Sequence, residues 1–189
     1  MRWIVMLFWV MVCSTMLLNA QKMEREFRID QTDFPEEALE FLNQLDLPFK
    51  NVKWFKEVQE HRTSFEAKIK VEKFLYSIEF DSLGRLEDIE KMVKFNRLPP
   101  NIQSVLKQSL GAQLGSYKIV KTQIQFTELR SEKVVLTELS AQNSSIKYEI
   151  ELFTKRDASK RLMEYLLSNR GEILSSREVI VRSSENLMY

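Results

Sequence analysis

The chain has 189 residues, 44% of them hydrophobic and 29% charged, enough to bury a core and polar enough to leave a wetted surface. Its 28 basic and 27 acidic residues give a net charge of +1, so no cationic excess draws it to nucleic acid or to an anionic membrane. One cysteine and one histidine exclude a disulfide framework and a cysteine–histidine metal cluster.

Met1 and Arg2 are followed by an uncharged apolar run from Trp3 to Leu18, then Asn19 and Ala20 ahead of Gln21. One basic residue, an apolar stretch of secretory length and a small residue before the break mark residues 1–20 as a signal peptide, the alternative being an uncleaved anchor. The run is shorter than the ~20 residues that span a bilayer comfortably. Cleavage removes Cys13 and Arg2, leaving 27 basic against 27 acidic residues. The expected protein is periplasmic or secreted, with no stable membrane association afterwards, and residues 21–33 form an N-terminal segment.

An internal repeat follows. Phe34-Pro35-Glu36-Glu37-Ala38-Leu39-Glu40-Phe41-Leu42 aligns, 64 residues later, with Leu98-Pro99-Pro100-Asn101-Ile102-Gln103-Ser104-Val105-Leu106. Apolar residues coincide at 34/98, 38/102, 41/105 and 42/106, the spacing of one helix face, with proline where a first turn tolerates it. Asp33 is placed to cap the first helix, and Glu36 and Glu37 suit its positive end. Gly111 to Gly115 reads as the exit of the second helix and a linker.

Each helix leads into strands. Val52 to Lys56 and Tyr117 to Lys121 open the two sets. Phe65, Ala67, Ile69 and Val71 then alternate with Glu66, Lys68 and Lys70, as Ile146, Tyr148, Ile150 and Leu152 do with Lys147, Glu149 and Glu151. Strands at Phe74 to Phe80 and Leu162 to Leu167 run into turns at Asp81-Ser82-Leu83-Gly84 and Ser168-Asn169-Arg170-Gly171. The last strands, Arg85 to Val93 and Glu172 to Val181, alternate less cleanly, as a bulge or an edge would. Residues 127–145 are an insertion whose Lys133-Val134-Val135-Leu136 fits a strand or a short helix. The expected fold class is therefore α+β: tandem helix-plus-antiparallel-sheet repeats, 34–97 and 98–189, forming a shared sheet with helices on one face.

Val52-Lys53-Trp54, Phe65-Glu66-Ala67-Lys68, Tyr76 to Asp81, the Gly84 turn and the Leu98-Pro99 helix start form a pattern that a second set repeats at Tyr117-Lys118-Ile119, Tyr148 to Leu152, Leu166-Leu167 and Gly171 to Leu174. The pattern resembles PepSY-like, beta-lactamase-inhibitor-like proteins exported by Bacteroidetes, over about residues 34 to 181. The resemblance implies an envelope protein with an inhibitory or protein-binding role. Ser168 in place of Asp81 and the insertion depart from it.

No site motif directs the chain to chemistry. His61 stands alone between Glu60 and Arg62, the glycines form no phosphate loop, the carboxylates lack calcium-loop spacing, and Asn143-Ser144-Ser145 is a common triplet. The expectation is a protein that is not an enzyme and has no cofactor. Tyr76, Tyr148 and Tyr165 share the apolar phase and are expected in the core. The opposite phase presents Glu66, Lys68, Lys70, Leu75, Glu79, Lys147, Glu149, Glu151, Leu162, Glu164 and Leu166, a solvated charged face broken by leucines. Phe55, Glu66, Lys68, Leu75, Glu149, Leu162 and Leu166 are the residues expected to contact an unidentified envelope protein. The alternative is a small-ligand carrier with Trp54, Phe41 and Tyr148 around a pocket between helices and sheet.

Overall fold

Two prolines set where the helices begin. Pro35 precedes α1 (Glu36–Gln44), and Pro99 precedes α2 (Pro100–Leu114), at positions whose missing N–H had no intrahelical partner. Glu36 and Glu37 fill the first turn of α1. Asp33 does not cap it: a short 3-10 turn, Gln31–Asp33, holds that residue away, and no side chain caps the helix. Gly111 lies inside α2 rather than at its exit, and Gly115, at φ 65°, ends it.

The computed structural model describes residues 25–45, 52–59, 62–129, 134–142, 144–156 and 159–179. The leader, His61, Lys133 and Asn143 lie outside the described residues. Strands are β1 (Arg25–Ile29), β2 (Lys53–Gln59), β3 (Arg62–Val71), β4 (Phe74–Phe80), β5 (Leu86–Met92), β6 (Tyr117–Thr127), β7 (Ser145–Arg156), β8 (Ser159–Ser168) and β9 (Ile173–Glu178). They pair in sequence order, each antiparallel to the next, as one nine-stranded sheet.

This corrects the expected tandem helix-plus-sheet repeats. The chain is mostly a single large antiparallel sheet with two helices among the described residues. The physical reason lies at β5 and β6, where Ile89 pairs with Phe126 and Met92 with Gln123. Left unpaired, β5 and β6 would each expose a row of N–H and C=O groups; pairing removes both edges and runs all nine strands together in sequence order. β1, absent from the sequence reading, adds to β2 through the register Glu26 with Glu57 and Ile29 with Trp54.

One face of the sheet carries the core. Ala38 and Leu42 of α1 bury against Ala67, Ile69, Tyr76, Ile78, Phe80 and Ile89. The Phe34 ring meets Trp54, Phe65 and Phe80 edge-on, at centroid distances of 4.8, 5.5 and 5.8 Å. Leu106 and Leu110 of α2 bury against Tyr148, Ile150, Leu152, Tyr165 and Leu167 in a second cluster. Each fully buried leucine contributes about 1.5–3 kcal/mol. The insertion forms a 3-10 turn, Leu136–Glu138, and Leu136 closes the first cluster, not the second.

The two glycine turns seat the helices. Gly84, at φ 87°, leaves only 2.8 Å between an added Cβ and the Ala38 nitrogen; Gly171, at φ 83°, leaves 2.6 Å to Val105 Cγ1. The Asp81 carboxylate accepts from the Leu83 and Arg85 amides at 2.8 and 2.9 Å. Ser168 does the same for Arg170 and Glu172 at 3.2 and 3.1 Å, so the change of residue type preserves the turn. The irregular alternation near each fourth strand corresponds to register shifts at Glu79/Phe80 and Leu166/Leu167.

Candidate functional site

The face of the sheet turned away from the helices collects the polar phase of every strand. Cross-strand pairing sets Phe55 beside Glu66, Glu66 beside Glu79, and Glu79 beside Asp88. Ser77 pairs with Glu90, Glu90 with Gln125, Gln123 with Glu149, and Glu149 with Leu166. The expected solvated face is corrected at its middle. Glu66, Ser77, Glu90 and Gln123 are 5%, 7%, 4% and 3% exposed. A long antiparallel sheet coils as its twist accumulates, which crowds the side chains of its central strands.

Three carboxylate clusters cross this face, each with one oxygen per residue within 4.8 Å of the others: Glu26, Glu57 and Glu66; Glu79, Asp88 and Glu90; Glu149, Glu151 and Glu164. The first is held by Lys68, whose Nζ lies 2.6 Å from Glu26 Oε1 and 2.9 Å from Glu66 Oε2, and 4.4 Å from the centre of the Phe55 ring. The third is held by Lys121, 2.9 Å from Glu151 and 3.6 Å from Glu149, and by Arg177, which forks onto both Glu164 oxygens at 2.5 and 2.8 Å.

The middle cluster has amides where the others have cations. Gln123 Nε2 donates to Glu90 Oε2 at 2.5 Å, and Gln125 Nε2 donates to Asp88 Oδ2 at 3.1 Å. No lysine or arginine among the described residues forms an ion pair with Glu79, Asp88 or Glu90. Asp88 Oδ1, Gln123 Oε1 and Gln125 Oε1 are shut from solvent with no hydrogen-bond partner.

Burial dominates the electrostatics. It pushes Glu79 well above the usual carboxylate range, helped by Glu90, Asp88 and Glu66. Burial, with Glu87 adding to it, lifts Asp88 to about 7 against the pull of Lys147. Glu90 is raised by burial and by Glu149 and Asp88. Burial and Glu164 bring Glu149 to about 7 despite Lys121 and Arg177. Burial alone would lower Lys121, but Glu149 and Glu151 outweigh it and hold the ammonium charged.

The residues expected to contact a partner all lie in the polar phase. The structure brings Phe55, Glu66 and Lys68 into one contact group and sets Glu149 against Leu166. Leu75, opposite Lys70, and Leu162, opposite Phe153, stand towards strand ends, away from those groups. The alternative pocket does not assemble from its three residues. Trp54 and Phe41 pack in the first core cluster and Tyr148 in the second. Asp88, Glu90, Lys121, Gln123 and Arg177 escaped the sequence reading of the face. Period-two counting from Glu79 and Glu149 onto the neighbouring strands was the available signal.

No family model and no curated protein matches the chain. Its fold is similar to those of solved crystal structures. A DUF2874 family protein from Bacteroides ovatus has 12% identity and a TM-score of 0.52, over 77% of this chain and 87% of that one. A DUF2874 family protein from Bacteroides uniformis has 13% identity and a TM-score of 0.50, over 76% and 88%. At these identities the likeness is one of fold.

Proposed function

We propose that the chain is an exported, non-catalytic binding module of the cell envelope, and that its polar sheet face docks on another protein. The observation that carries this reading is the division of the sheet. The helices occupy one face, while the other offers Phe55 beneath the Lys68 ammonium, Leu166 beside Glu149, and carboxylates stripped of much of their water. Apolar groups in a field of desolvated charge are the anatomy of a specific interface, with the charges setting orientation and partner choice.

The PepSY-like, beta-lactamase-inhibitor-like kinship and the periplasmic or secreted location belong to the same proposal. They are supported by the leader-like residues 1–20 and by the repeated strand pattern around Tyr76 and Tyr148. The balanced charge favours a protein partner over nucleic acid or membrane lipid. No helix among the described residues is long and apolar enough to cross a membrane.

Capture from a native envelope extract tests the reading, with the chain as bait beside a Phe55→Ala/Leu166→Ser variant checked for folding by circular dichroism. One dominant protein retained by the parent and reduced at least about tenfold by the variant is the expected outcome. Equal retention by both, or no specific protein on either, would contradict it.

A further inference from the structure

Among the three carboxylate clusters, the middle one stands apart in lacking a resident cation. Lys68 pairs with Glu26 and Glu66 of the first, and Lys121 and Arg177 with members of the third. The middle cluster instead contains a buried polar atom with nothing to bond. Gln123 is 3% exposed, and its amide head lies in the cluster because its Nε2 bonds Glu90. The Oε1 on that head accepts no hydrogen bond and reaches no solvent. A buried acceptor left without a partner is costly and uncommon, and a cation at the cluster would satisfy it.

We propose that Glu79, Asp88 and Glu90, with the side-chain carbonyl of Gln123, form a calcium site at the middle of the polar face. The donors are all oxygen, with no imidazole or thiolate, which selects a hard cation over zinc. One oxygen from each of the three carboxylates lies within 4.8 Å of the others, close enough to share one ion. Magnesium sheds its waters reluctantly and demands octahedral geometry, so an irregular set of buried protein oxygens favours calcium. Glu79 and Asp88 keep partial exposure while Glu90 and Gln123 are buried, so the ion enters past the first pair and rests on the second. Asp88 Oδ1 and Gln125 Oε1, both unpartnered, extend the donor set.

The site stands independently of any docking partner, and its test needs none. Calcium is titrated into the full chain by isothermal calorimetry after chelation and dialysis. One calcium per chain is expected, with a Kd of about 10⁻⁵ to 10⁻³ M and magnesium at least about tenfold weaker. Glu90→Gln and Gln123→Leu should each weaken binding at least about tenfold. Glu26→Gln, in the first cluster, should leave it within about twofold. Glu90→Gln keeps the shape and removes a buried charge, so it is expected to fold; circular dichroism checks it. No saturable heat up to about 10 mM calcium would overturn the site. Binding that survives both Glu90→Gln and Glu79→Gln would place the ion elsewhere and overturn it equally.

Discussion

The hydroxyl of Tyr76 donates to the backbone carbonyl of Leu136 at 3.2 Å, tying β4 to the segment between β6 and β7 across 60 residues of chain. Tyr76 is 1% exposed, and burial, with Glu72, pushes its hydroxyl up to about 12, so it remains a donor across the working pH range. Tyr76→Phe keeps the ring and leaves the Leu136 carbonyl unsatisfied. A loss of about 1–2 kcal/mol is expected in urea unfolding, with an unchanged m-value. An unchanged midpoint would show that the insertion does not brace the first core.

The glycine turns make a graded prediction. Gly84→Ala and Gly171→Ala force a side chain into a positive-φ backbone and into the helix above, so each should cost about 2–4 kcal/mol. Gly111→Ala meets nothing within 4 Å inside α2 and should stabilise by about 0.5–1 kcal/mol. Thermal melts of the three variants read the order; a Gly84→Ala protein as stable as the parent would contradict the close seating of α1.

Lys121 is the only basic side chain whose ion pairs reach both Glu149 and Glu151 among the described residues. Lys121→Met preserves its apolar stem and strands the two carboxylates in a crowded sheet. Because the lysine head retains some solvent access, the expected loss is about 1–3 kcal/mol, below the range for a fully buried pair. A double-mutant cycle with Glu151→Gln should recover part of it.

Stability should fall as pH rises. Asp88 and Glu149 have folded-state values of about 7, above the ordinary 3.8 and 4.5 for their types. A carboxyl raised by folding favours the protonated native state. Its contribution is fully present below the unfolded value and is lost as pH rises through the folded one. In chelator, Tm should therefore drop by about 3–6 °C between about pH 5 and about pH 8, and Glu149→Gln should flatten the slope. A Tm that climbs over that interval would contradict the assignment.

The local levels of the fold are legible in the sequence. Alternation through Phe65, Ala67, Ile69 and Val71 sorts the faces of β3 correctly, and Tyr76, Tyr148 and Tyr165 are buried on the core side. Pro35 and Pro99 announce both helices. What joins the sheet is long-range: Ile89 finds Phe126 across α2, and neither residue carries a local sign of that pairing. The same limit applies at the site. Period two places Glu79 on the polar face, but the carboxylates that crowd it, Glu66, Asp88 and Glu90, come from neighbouring strands, which no single strand encodes. Gln123 is a polar residue like any other until its register opposite Met92 lets its side chain reach diagonally to Glu90.

The docking face depends on carboxylates held out of water at the middle of the sheet. Side-chain carboxyl carbon shifts followed by NMR across a pH titration in chelator test this directly. Asp88 is expected to titrate at about 7, with Glu79 and Glu90 well above the ordinary glutamate value of 4.5. Ordinary titration of all three would contradict it and leave the face as a solvated sheet.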